Sequence, residues 1–133
     1  MTTEDDFQAA LDAHPDDWQT RLVFADWLDE RGDPRAAGYR ALGVLRRRPQ
    51  FDTAPDVYWY FANDRTDRHQ YADPLHERRA LIPTDWFRLA APGRDFWTSG
   101  FDTRRAAEDA AAEAFARLPA SRRAELLATE VLA

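Results

Sequence analysis

Trp18-Gln19-Thr20-Arg21-Leu22-Val23-Phe24-Ala25-Asp26-Trp27-Leu28-Asp29-Glu30-Arg31-Gly32-Asp33-Pro34-Arg35 is the stretch from which the rest of the chain is best read. Trp18, Leu22, Ala25 and Leu28 recur at helical spacing and form one apolar stripe, with Phe24 and Trp27 forming a second. A helix that is apolar on two sides packs on two sides, so this one is expected at the centre of the fold. Asp16 or Asp17 stands where an N-cap is needed, and Gly32 where a left-handed C-terminal cap is wanted. Asp33-Pro34 then restarts the chain as N-cap and first helical residue, a position where proline's missing N–H costs nothing.

Upstream, Thr3 can cap a helix whose first turn holds Glu4, Asp5 and Asp6, favourably placed against the positive end of the helix dipole. Phe7, Ala10, Leu11 and His14 fall on one face of it, and Pro15 ends it. Downstream, a third helix carries Ala37, Ala41, Val44 and Leu45 on one side. Arg40, Arg46, Arg47 and Arg48 look outward, and Pro49 closes the segment. The last third is again helical. Asp102 or Thr103 caps a face of Ala107, Ala111, Ala114, Phe115 and Leu118, Pro119 stops it, and Ser121 caps a final helix marked by Ala124, Leu127 and Val131.

Residues 50–102 read differently. Val57-Tyr58-Trp59-Tyr60-Phe61 is a run of strand-favouring residues, and Phe96-Trp97-Thr98 resembles a second strand that could pair with it. Thr84–Leu89 reads as one or two capped helical turns, and Pro74 and Pro83 interrupt anything longer. The expected fold is α+β and predominantly helical. A three-helix unit at 1–49 packs with an aromatic-rich part at 50–133, which holds a small two- or three-stranded sheet and two helices, the two sharing one core. An all-α arrangement is the alternative.

The composition narrows the function classes. Hydrophobic residues make up 44% of the 133 and aromatics 13%, enough to bury a core despite 32% charged residues. No apolar run approaches the roughly 18 residues of a membrane span, and the acidic opening residues do not read as a signal peptide, so a cytoplasmic location without a membrane is expected. Cysteine is absent, which removes disulfides, thiol nucleophiles and cysteine-ligated zinc. Lysine is absent as well, so all 18 basic residues are arginines, able to make the planar, two-pronged contacts that lysine cannot. The net charge of −6 is uneven: residues 1–34 hold ten acids and two arginines, residues 35–50 five arginines and no acid. Neighbouring elements of opposite charge attract each other before they attract an external ligand, and an acidic whole is a poor starting point for binding nucleic acid.

The core Arg21-Leu22-Val23-Phe24-Ala25-Asp26-Trp27-Leu28-Asp29-Glu30-Arg31-Gly32-Asp33-Pro34-Arg35 resembles a bacterial repeat-companion domain, over roughly the first 45 residues of the chain. That family is named for standing beside repeat arrays, and no enzymatic activity attaches to it. The resemblance implies an adaptor or interaction role. Ala25, Leu28, Ala37, Ala41, Val44 and Pro49 are also similar in spacing to a single tetratricopeptide helix-turn-helix, without a second copy and hence without a solenoid groove.

Three constellations remain. His69, Asp73, His76 and Glu77 are metal-ligand and acid–base types within nine positions, but Pro74 interrupts any helix that would align them, and a polar loop with two surface imidazoles is the simpler account. Ser99 and Ser121 lie in no nucleophile turn, and the five glycines never cluster into a phosphate-cradling loop. Arg46-Arg47-Arg48, with Arg40 and the nearby Tyr58 and Trp59, sets basic groups beside stackable rings. That combination suits single-stranded nucleic acid and protein interfaces alike, unless the arginines pair with the acids of the first two helices. The sequence thus predicts a non-enzymatic module, with no cofactor or bound metal, that contacts another protein or a second copy of itself through Arg40, Arg46, Arg47, Arg48, Tyr58 and Trp59. Nucleic-acid binding through the same patch and a small metal-dependent hydrolase around His69–Glu77 are the alternatives.

Overall fold

The computed structural model describes residues 3–46, 50–52, 58–60, 62–63, 81–82, 84–90, 101 and 103–132. Among them are six helices: α1 Glu4–Ala13, α2 Trp18–Glu30, α3 Ala36–Leu45, α4 Thr84–Ala90, α5 Arg104–Arg117 and α6 Ala120–Leu132.

The helix ends follow local chemistry. Thr3 and Asp6 form a reciprocal capping box at α1, with the Asp6 amide donating to Thr3 Oγ1 and the Thr3 amide to Asp6 Oδ2 at 2.9 Å. Asp17 caps α2 by accepting from the Thr20 amide at 3.0 Å, and Thr103 caps α5 by accepting from the Ala106 amide at 3.0 Å. Gly32 follows α2 at φ +67°, the left-handed geometry expected of it. The restart lies two residues later than Asp33-Pro34 predicts. α3 begins at Ala36, and Asp33 instead accepts the Arg35 amide at 2.9 Å to form the turn that precedes the helix.

The fold is all-α, which corrects the expected α+β class. Among the described residues the body is the six helices, and strand pairing is limited to ladders two or three residues long and an isolated bridge at Phe101, with no sheet layer. Tyr58–Tyr60 runs antiparallel to Gln50–Asp52, and Ala62–Asn63 parallel to Leu81–Ile82. The expected partner Phe96–Thr98 lies outside the described residues. Strand propensity in an aromatic run reflects how well side chains fit a half-buried pleated surface, and here the helices bury the core among themselves.

Packing also moves the centre of the fold. α2 packs on two sides, against α1 and α3, but α3 meets α2, α5 and α6. The sequence of α3 explains this. Gly38 lies so close to α5 that a Cβ there would stand 2.2 Å from Ala112 Cα. Ala112 itself is fully buried, as are Ala107, Ala111 and Ala114 on the neighbouring face of α5. Small residues on both helices let the backbones approach. On its other flank α3 presents Tyr39, Leu42 and Leu45 to the core, while Ala37 and Val44 of the expected stripe face solvent. Phe7 stacks on Phe24 with centroids 4.9 Å apart, and Tyr39 meets Phe24 edge-on at 4.7 Å. Trp86 of α4 packs on Phe115 at 5.1 Å, and among the α6 residues whose burial is described Leu126 is buried, Leu127 packs partly buried on the core and Ala124 is exposed. None of the helices described is long and apolar enough to cross a membrane.

Candidate interaction surface

Helical spacing places Val23 and Asp26 on one face of α2, three residues apart, and Arg40 and Val44 on one face of α3, four apart. Arg40 Nη2 meets Asp26 Oδ1 at 2.9 Å and brings the two faces side by side. Deeper between the helices, Leu22 lies over Gly43, where a Cβ would stand 2.8 Å from its Cδ2. The two helices run antiparallel, so the outcome is a patch with the Asp26–Arg40 ion pair at one end and both branched apolar side chains toward the other. Val23 is 46% exposed and Val44 39%, and they are the exposed large hydrophobics among the described residues. Arg46 caps α3 in the left-handed region at φ 55° and is exposed just beyond Val44.

Behind this patch, charges do structural work. Arg21 and Glu108 are fully buried against each other, and Arg104 adds a bond to the same carboxylate at 2.8 Å. Burial is the strongest influence on Arg104 and opposes its charge, but Glu108 and Asp12 outweigh it and the guanidinium holds its proton more firmly than usual. Arg35 is shared among Glu4, Asp33 and Asp109, and its hydrogen bond to Glu4 leads the effects that raise its pKa. In return Arg35 holds the carboxyls of Glu4 and Asp33 below the usual carboxylate range. Tyr39 Oη donates to Asp109 at 2.5 Å and accepts from Gln8 at 3.2 Å; burial, reinforced by the Asp109 charge, pushes its pKa well up.

An open groove beside the network is lined by Asp33, Pro34, Arg35, Glu113, Ala116 and Arg117. Its guanidinium at Arg35 is already shared among three carboxylates, so it offers little charge to a ligand.

The predicted residues are only partly brought together. Arg40 and Arg46 belong to the exposed edge of α3, and Arg40 pairs with α2 as the competing structural reading required. Tyr58 and Trp59 lie on a backbone ladder near α5. Arg47 and Arg48 lie outside the described residues, as do His69, Asp73, His76 and Glu77. Among the described residues no three His, Asp or Glu side chains group as a metal site. Val44 escapes notice as a surface residue because it fits the apolar stripe of α3, whereas Val23 falls on neither apolar stripe of α2 and carries no polar signal of its own. Arg21 carried a legible signal: it is a cation set within the apolar stripe of Trp18, Leu22 and Ala25. No family model, curated protein or solved structure gives a significant match to this chain.

Proposed function

We propose that the protein is a non-enzymatic interaction module that docks another protein on the α2–α3 face. The carrying observation is the pair of exposed valines beside the Asp26–Arg40 ion pair. Exposed apolar side chains bordered by an arginine and a carboxylate able to turn outward match the composition of protein interfaces. The ion pair is exposed and stabilises the monomer by only about 0–1 kcal/mol, so a partner can re-form it at little cost. The likeness of Arg21–Arg35 to repeat-companion domains supports the same reading, since that resemblance implies contact with a neighbouring protein.

The test compares the wild-type chain with Val23→Glu/Val44→Glu as baits in the host, each captured protein then being purified and titrated directly. A partner that binds the wild type and a distal Arg117→Ala variant, but loses at least roughly tenfold in affinity for the double variant, supports the α2–α3 face. A partner bound equally by all three places the contact elsewhere.

A further inference from the structure

α1 is held to the rest of the fold by two parallel stripes. Glu4, Gln8 and Asp12, spaced four apart, turn toward arginines. Glu4 accepts from Arg35 at 2.8 and 2.9 Å and from Arg105 at 3.0 Å, and neighbouring Asp5 accepts from Arg105 at 3.0 Å. Gln8 accepts from Arg104 through its side chain at 2.5 Å and its carbonyl at 3.2 Å, and Asp12 accepts from Arg104 at 2.8 Å. Phe7 and Leu11 form the apolar stripe: Phe7 stacks on Phe24 and meets Trp27 edge-on at 5.8 Å, and Leu11 is fully buried. The helix sits as an acidic amphipathic ligand sits in a receiving groove.

The groove keeps its charges paired without α1. Arg35 retains Asp33 and Asp109, Arg104 retains Glu108, and Tyr39 retains Asp109. Arg105 loses its bonds to Glu4 and Asp5, but it is already 41% exposed. Removing one member of a buried ion pair is costly because it strands the other in the interior. Lifting α1 strands neither of the buried guanidiniums it touches. A helix of 10 residues also has little stability of its own, so its order derives from its seat. Elements held this way open below the free energy of global unfolding.

We propose that the seat under α1 is a second binding site, a groove for an acidic amphipathic helix of a partner protein, with α1 as its built-in competitor. The occupant supplies the ligand pattern: carboxylate or amide side chains at i, i+4 and i+8, and large apolar ones at i+3 and i+7. Phe24 and Trp27 receive the apolar stripe, Tyr39 Oη accepts from the amide at i+4, and Arg35, Arg104 and Arg105 receive the acidic stripe. Only molecules with α1 undocked bind, so affinity is reduced by the closed fraction. No residue of this seat belongs to the α2–α3 face.

The probe is a dye-labelled peptide with the sequence of residues 3–14, added to the full chain and followed by anisotropy. The host Glu4→Ala/Phe7→Ala weakens its own α1 and is expected to bind the peptide at least roughly tenfold more tightly than the wild type. That gain is expected to vanish when Arg105→Glu is added, and to shrink by roughly tenfold between about 50 mM and about 500 mM salt. A host that keeps its helical circular dichroism yet binds no more peptide than the wild type overturns the proposal. Should the double variant fail to fold, amide exchange of the wild type decides. α1 amides exchanging at least roughly tenfold faster than those of α3 uphold it, and exchange of both only through global unfolding refutes it.

Discussion

Arg21 and Glu108 stand 87 residues apart in sequence and meet as a fully buried, two-pronged pair, Nε to Oε1 and Nη2 to Oε2 both at 2.9 Å. Fork-to-fork geometry of this kind fixes orientation as well as distance, so the pair sets how α5 lies against α2. The two partners are unequal. Glu108 serves two guanidiniums, while Arg21 has one carboxylate.

Unequal partners give unequal losses. Glu108→Ala leaves Arg21 and Arg104 in the interior with only the largely exposed Asp12 between them, and is expected to cost about 3–5 kcal/mol. Arg21→Met leaves Glu108 still paired with Arg104 and is expected to cost clearly less. The double variant Arg21→Met/Glu108→Leu is expected to regain part of the Glu108→Ala loss. Urea denaturation of the three variants checks the order, and a Glu108→Ala loss no larger than that of Arg21→Met contradicts it.

Gly38 and Gly32 separate two uses of glycine. A Cβ at Gly38 meets Ala112 backbone at 2.2 Å, and backbone cannot turn aside as a side chain can. Gly38→Ala is therefore expected to force α3 and α5 apart and to cost about 1–3 kcal/mol or more. Gly32→Ala meets nothing within 4 Å, and its cost is the left-handed backbone alone, about 1–2 kcal/mol. Crystal structures or exchange patterns should show a helix shift for the first and none for the second.

How much of this was legible in the sequence depended on whether the signal was local. Caps at Thr3, Asp17 and Thr103, the stop at Gly32 and the alanine face of α5 are properties of a few adjacent residues, and the structure agrees with each. The expected sheet rested on Val57–Phe61 and Phe96–Thr98 finding each other across nearly forty positions, and local propensity carries no information about such a pairing. The charge network was hidden for the same reason. Arg21 stood out inside an apolar stripe, but nothing near it named Glu108. The block of ten acids in residues 1–34 did foreshadow internal pairing with later arginines, which Glu4, Asp5, Asp12, Asp26 and Asp33 make.

Acid and alkali should act on different parts of the network. Glu4 and Asp33 have folded pKa values below their unfolded ones, chiefly through hydrogen bonds from Arg35. Their stabilisation is present above the unfolded values near about 4 and is lost as the pH falls through the folded ones. Glu4→Gln is thus expected to lower stability at neutral pH and to narrow the gap to wild type in acid. Tyr39 has the opposite sign: burial and Asp109 raise its folded pKa, so its contribution is complete below about pH 10 and fades as the pH rises beyond that. Tyr39→Phe should flatten the alkaline limb of a stability–pH curve. A variant curve parallel to the wild type in either limb removes that assignment.

Trp86 tests whether α4 belongs to the same cooperative unit as α5. Its indole Nε1 donates to the Ala111 carbonyl at 2.8 Å, and its ring is fully buried against Phe115. Trp86→Phe keeps most of the apolar contact but removes the donor and leaves a gap, a loss of about 1–3 kcal/mol. Trp86→Ala opens a large cavity and is expected to cost about 3–5 kcal/mol. The helices share one core, so the loss should appear as an earlier single transition, with α2 and α5 amides losing protection together. Earlier exchange confined to α4, with α2 and α5 unchanged, would show that the segment docks on the core without contributing to its cooperativity.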